Sequence, residues 1–153
     1  MSVLAVNKKA GFDYKILETY ESGLVLSGPE VKSIKGGHIS LKESYIDVLT
    51  TNQNHPELYL LKAHVAAYRP AGKDDDYNPI RPRKLLLRQH EIIHLMSKKQ
   101  QVGLTLIPIK IYTKNSFIKL EFALAQGRKK YDKREVIKKR EVERGLRILT
   151  KKR

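Results

Sequence analysis

The last twenty-eight residues, 126–153, most constrain what this chain can fold into. They hold thirteen Lys and Arg against four Asp and Glu, a net +9 out of the whole chain's +15. A segment this charged repels itself and buries few side chains, so it stays outside any core and is expected to be disordered when free. The fold must therefore be built from residues 1–125, enough chain for one hydrophobic core. The division expected is a folded domain over 1–125 and a basic tail over 126–153. A sequence pI near 10.0 points to a polyanionic partner, nucleic acid ahead of an anionic membrane surface. No run approaches the roughly 18 apolar residues of a membrane span. Residues 1–9 lack the charged region that precedes the apolar run of a secretory signal. The absence of cysteine excludes disulfides, thiolate metal sites and Cys nucleophiles, and fits a cytoplasmic protein. With eight Tyr and no Trp, stacking on bases would fall to Tyr, His, Phe or Arg.

Residues 14–20 alternate apolar and charged side chains, as a half-buried strand does. Glu21-Ser22-Gly23 reads as a turn before a second strand from Leu24. Gly28-Pro29 breaks that strand and opens a helix over 30–35, which Gly36-Gly37 stops. Residues 44–49 and 57–65 form two more strands around a polar hairpin loop at 50–56. From 70 to 84 no periodicity is visible, and a loop this long is more often functional than accidental. Ile92, Leu95 and Met96 give a helix over 88–100 one apolar face. Strands over 104–112 and 116–125 close the pattern, the first carrying Pro108, which suits an edge or a bulge. About six short strands with two helices suggest a mainly β fold with helices, a small closed or partly open barrel suited to nucleic acid.

Four constellations bear on chemistry. His90-Glu91-Ile92-Ile93-His94 has the spacing of a helical zinc site with a Glu base. No His follows His94, and Ser97 stands where the extended motif needs Gly, so a solvated helix face is the reading favoured. Asp74-Asp75-Asp76 is an acidic trio that reads as solvent-facing. Neither a catalytic residue, a metal ligand nor a cofactor is expected. Arg81, Arg83 and Lys84 lie on a Pro-stiffened loop, where phosphate contact costs little ordering entropy. In the tail, Tyr131 sits among Lys129, Lys130, Lys133 and Arg134, an arrangement suited to stacking plus phosphate pairing. Val142, Leu146 and Leu149 would share one helical face, interrupted by Gly145 at a cost of about 1 kcal/mol relative to Ala. That narrow stripe predicts a tail that becomes helical on a partner.

Glu21-x-Gly23-Leu24-x-Leu26-x-Gly28-x-Glu30-Val31-Lys32-Ser33 resembles the signature of the SsrA-binding protein (small protein B) family. So do Asn7-Lys8-Lys9-Ala10, Pro79-x-Arg81-x-Arg83-Lys84-Leu85-Leu86-Leu87 and Gly127-Arg128-Lys129-Lys130-x-Asp132-Lys133-Arg134, in order along nearly the whole chain. The resemblance implies an oligonucleotide-binding-type (OB-like) barrel with a C-terminal tail, in a bacterial, cytoplasmic, non-enzymatic factor of trans-translation. It implies binding to the tRNA-like domain of transfer-messenger RNA, the SsrA RNA. Delivery to stalled ribosomes would involve elongation factor Tu, with the tail acting in the decoding centre and the empty mRNA channel. The chain would act as a monomer away from membranes. Glu21, Leu86 and Lys119 match the positions relatives use on the RNA, with Glu30, Lys32, Ser33, Arg81, Arg83 and Lys84 in the same motifs. Gly127, Lys129, Tyr131, Asp132, Lys133 and Arg134 match the start of the ribosome-binding tail. Arg147-Ile148-Leu149 resembles a later tail motif with a one-residue shift. Tyr131 stands where many relatives have His, and Asp76-Tyr77-Asn78 where they often read Asn-His-Asp. Two other readings stand beside this one: a ribosomal protein with a basic rRNA-binding extension, and a zinc hydrolase on His90 and His94.

Overall fold

A computed structural model of the chain describes residues 1–49, 55–72, 75–128 and 130–151; the side chains of 130–132, 136 and 147–151 are outside that description. Among the described residues there are nine strands: β1 (Ser2–Val6), β2 (Tyr14–Leu24), β3 (Ile39–Ser40), β4 (Tyr45–Leu49), β5 (Glu57–Leu61), β6 (His64–Val65), β7 (Arg83–Leu86), β8 (Leu104–Lys114) and β9 (Phe117–Gly127). The helices are α1 (Ala10–Asp13), α2 (Gly28–Lys35), α3 (Gln89–Lys99) and α4 (Lys130–Lys151). In the main sheet the order is β1-β8-β4-β5-β7-β2-β9, and β8 also pairs with β9. That last pairing closes six strands into a ring, with β1 added beside β4 on the free edge of β8. The result is the small barrel expected, and closure removes the exposed edges an open sheet would leave.

The core is apolar and continuous. Ile46, Leu58, Leu60, Leu85, Leu106, Ile111, Leu120 and Phe122 point inward from the ring. Ile92 and Leu95 of α3 and Ile34 of α2 pack onto it, as the apolar spacing in those helices requires. Helix α2 is fixed by a reciprocal cap: the Glu30 N–H donates to Ser27 Oγ at 3.3 Å, and the Ser27 N–H donates to Glu30 Oε1 at 3.0 Å.

Four details depart from the sequence reading. Glu21-Ser22-Gly23 is not a turn; β2 runs through it and changes neighbour, so that Gly23 pairs with Lys119 of β9 and Leu86 of β7. Glycine serves close approach there, since a Cβ would lie 3.1 Å from Leu86 Cδ1. The strand expected over 57–65 is split at Lys62, whose φ of 61° turns the chain to pair β6 with β3. Arg83 and Lys84 belong to β7 rather than to the preceding loop. The barrel also reaches into the supposed tail, because Gly127 pairs with Tyr14 at the end of β9. Pro108 behaves as read: the β8–β9 register shifts between Pro108 and Lys110. The expected hairpin loop at 50–56 lies largely outside the described residues.

Candidate RNA-binding face

Strand alternation assembles one outer surface where β7, β2, β9 and β8 run side by side. Residues two apart on a strand share a face, so Glu21 and Gly23 point out while Ser22 and Leu24 point in. Gly23 has Leu86 on one side and Lys119 on the other, and Glu21 lies one step along the same row, opposite Glu121. Glu21, Leu86 and Lys119, separated by up to 98 positions in sequence, thus converge around a glycine that leaves the surface flat. Leu86 is 56% exposed, with the exposed Val25 and Phe117 at the same end of the strands. Lys84, two residues before Leu86, shares its face and pairs with Glu57 at 3.2 Å. Lys114 lies 3.6 Å from Glu21, and Lys110 lies 3.6 Å from Glu121. An apolar patch rimmed by cations can take an unpaired base and its phosphate together.

Three residues expected at the RNA are not on this surface. Glu30, Ser33 and Arg83 are each at most 1% exposed and cannot meet RNA directly. Glu30 is instead the hub of a buried network. Arg83 donates from Nε to Glu30 Oε2 at 2.7 Å, and Arg81 donates from Nη2 to Oε1. Arg83 also donates to the Ala63 and Pro79 carbonyls at 2.8 and 3.0 Å. Tyr77 turns inward as well, donating to the Val65 carbonyl at 2.8 Å. Burial pushes the Glu30 carboxyl up, but Arg81, the Ser27 N–H and Arg83 outweigh it and hold it at about 2. Ser33 donates to the Ala66 carbonyl at 2.7 Å. The acid in the motif therefore ties α2 to the 77–82 loop and β7, with partly exposed Arg81 as the member that reaches the surface. Lys32 stands apart on α2, its ammonium 5.6 Å from the Tyr68 ring centroid.

At the other end of β9 the tail begins against α1. The Arg128 N–H donates to the Asp13 carbonyl at 2.9 Å, and Arg128 Nε donates to the Tyr14 carbonyl at 3.2 Å. Lys133 pairs with Asp13 at 3.2 Å and sits 5.8 Å from the Phe12 ring centroid. From there α4 runs as one helix through Gly145, with Arg134, Val142 and Leu146 exposed. No break occurs at that glycine. Lys129 lies outside the described residues, as do the side chains of Tyr131, Asp132, Ile148 and Leu149.

Helix α3 uses its motif structurally. The Arg88 N–H donates to Glu91 at 3.4 Å, so that carboxylate caps the helix start, while His90 and His94 face solvent. Among the described residues no three His, Asp or Glu side chains lie close enough to hold a metal ion. Asp74 of the acidic trio is outside that set. No helix is long and apolar enough to cross a membrane among the described residues.

The comparison with known proteins agrees in extent and in fold. The family model described as SmpB protein matches residues 4–152. The chain belongs to the SmpB family. It is 46% identical to the SsrA-binding protein of Persephonella marina over 146 residues, 95% of this chain and 92% of that one. It is likewise 46% identical to the SsrA-binding protein of Geobacillus kaustophilus over 144 residues, 94% and 89% of the two chains. A solved SmpB chain, from work described as "tmRNA-SmpB: a journey to the center of the bacterial ribosome", superposes with a TM-score of 0.64 at 38% identity. It covers 86% of this chain and 92% of its own length. The barrel is thus the SmpB-family barrel, and its match runs into the tail helix. Sequence reasoning missed Tyr112, Phe12 and Asp13. Plain alternation from the buried Leu106 would turn Tyr112 inward; the register shift between Pro108 and Lys110 sets it opposite Lys119 on the outer face.

Proposed function

We propose that this chain is the RNA-binding adaptor of trans-translation. Its barrel binds the tRNA-like domain of transfer-messenger RNA and carries that RNA to stalled ribosomes. The observation that carries this reading is the convergence of Glu21, Leu86 and Lys119 around Gly23, three positions that resemble those relatives use on the RNA. Lys119 supplies phosphate attraction, Leu86 an apolar contact, and Glu21 an acceptor for base amino or ribose hydroxyl donors. Arg81 and Lys84 extend the basic rim. Glu30, Ser33 and Arg83 act from inside, by holding that rim in place. The tail from Gly127 onward, with Lys129, Tyr131, Asp132, Lys133, Arg134, Ile148 and Leu149, acts in the decoding centre and the empty mRNA channel. The protein works as a cytoplasmic monomer without a cofactor or catalytic step of its own. Elongation factor Tu joins through the charged RNA.

A gel-shift titration tests this. The chain is expected to prefer transfer-messenger RNA over bulk tRNA at physiological salt, and Lys119→Ala is expected to remove much of that preference. Equal affinity for the two RNAs, together with tight binding to ribosomal RNA fragments, would favour the ribosomal-protein reading instead. Salt dependence decides nothing here, since phosphate contacts make any such complex salt-sensitive.

A further inference from the structure

Glu21 does not stand free on the RNA-binding face. Tyr112 lies on β8, two strands away, yet its hydroxyl reaches over β9 between Lys119 and Glu121 to donate to Glu21 Oε2. The ring is only 4% exposed although it lies on the outer face, and Lys110 Nζ covers it from 5.6 Å. An exposed glutamate normally samples several rotamers, and a ligand must freeze them at an entropic cost. Here one oxygen is already held, while Oε1 lies 3.6 Å from Lys114 Nζ on a side chain that is 39% exposed.

We propose that Tyr112 is a positioning residue for RNA recognition. Its hydroxyl fixes the Glu21 carboxylate so that Oε1, between Lys114 and Lys119, is presented as an acceptor to one nucleotide. The donor on that nucleotide is a base amino or imino group or a ribose 2′-hydroxyl, and its phosphate meets Lys119. This rests on the reading that Glu21 meets transfer-messenger RNA. The groups that face Glu21 are Tyr112 and Lys114 from β8, Lys119 and Glu121 from β9, and the apolar Leu86 from β7. The Tyr112 hydrogen bond, foremost, with the two lysines, outweighs the upward push of burial and holds the Glu21 carboxyl below its ordinary range. Burial and the same bond push the Tyr112 hydroxyl up, so it remains a donor at every working pH.

The test is Tyr112→Phe in the full chain, which keeps the ring and loses only the hydroxyl. Affinity for transfer-messenger RNA is expected to fall roughly three- to tenfold. The acid limb of binding, where Glu21 takes up its proton, is expected to move to higher pH, a shift that a purely structural role for Tyr112 would not produce. In a Glu21→Gln background the same change is expected to have no further effect. A wild-type affinity and acid limb for Tyr112→Phe would overturn the proposal, as would an equal loss with Glu21 already replaced. If Glu21→Gln alone binds as wild type, the placement of Glu21 on the RNA fails, and the inference with it. If Tyr112→Phe does not fold, carbon-13 titration of the Glu21 carboxyl in the wild-type chain decides, and an ordinary carboxylate pKa overturns the proposal.

Discussion

Glu30 shows how a single buried charge can organise a surface it never touches. Its carboxyl titrates at about 2 against an ordinary 4.5, so the folded state binds the proton more weakly than the unfolded one. The stability this contributes is complete above pH 4.5 and is lost as the pH falls towards 2. Acid unfolding followed by circular dichroism should show wild type losing stability through that window. Glu30→Gln should lose the dependence and unfold about 3–5 kcal/mol more easily at neutral pH, because Arg83 is left buried and unpaired. The β8–β9 turn offers the opposite kind of change. Asn115 and Ser116 both have positive φ, 50° and 68°, a two-residue hairpin turn in which glycine is favoured at the second place. Ser116→Gly should therefore raise stability by roughly 0.5–1 kcal/mol, read as a higher thermal midpoint.

Among the elements, α4 is the one whose position depends least on the core. Its attachments to the barrel include the Arg128 bonds to Asp13 and Tyr14, the Lys133–Asp13 pair and the Phe12 contact. Its Val142 and Leu146 are exposed rather than buried as a core face would be. Amide exchange in the free protein should accordingly be fastest in α4, with protection rising towards Arg128. Asp13→Asn should cost the barrel less than about 1 kcal/mol, since the pair is partly exposed, yet speed exchange across 130–134. Unchanged exchange there would show that the backbone bonds of Arg128 alone seat the helix.

For the whole molecule, charge and fold divide the work. The barrel presents a flat, cation-rimmed face, and the basic helix leaves from α1 at the far end of β2 and β9. Removal of residues 136–153 should leave transfer-messenger RNA affinity within tenfold, about 1.4 kcal/mol, while abolishing tagging on stalled ribosomes. A larger loss of affinity in a gel shift would mean that the tail also holds the RNA.

Much of this was legible in the chain itself because local patterns were strong. The alternation in residues 104–112 and 116–125, the apolar spacing of α3 and the Gly-Pro start of α2 all appear where they were read. The charge of 126–153 kept that segment out of the core, whatever the rest of the chain does. What local pattern cannot carry is pairing between distant strands and the direction of a buried side chain. Gly23 reads as a turn residue until Leu86 and Lys119 are brought to its two sides. Glu30 reads as a surface acid until two arginines 51 and 53 positions away close over it. The composition of the tail alone determined that this protein meets a polyanion. Strand pairing in the closed barrel, which sets β7, β2 and β9 in register, decided that Glu21, Leu86 and Lys119 share one outer face.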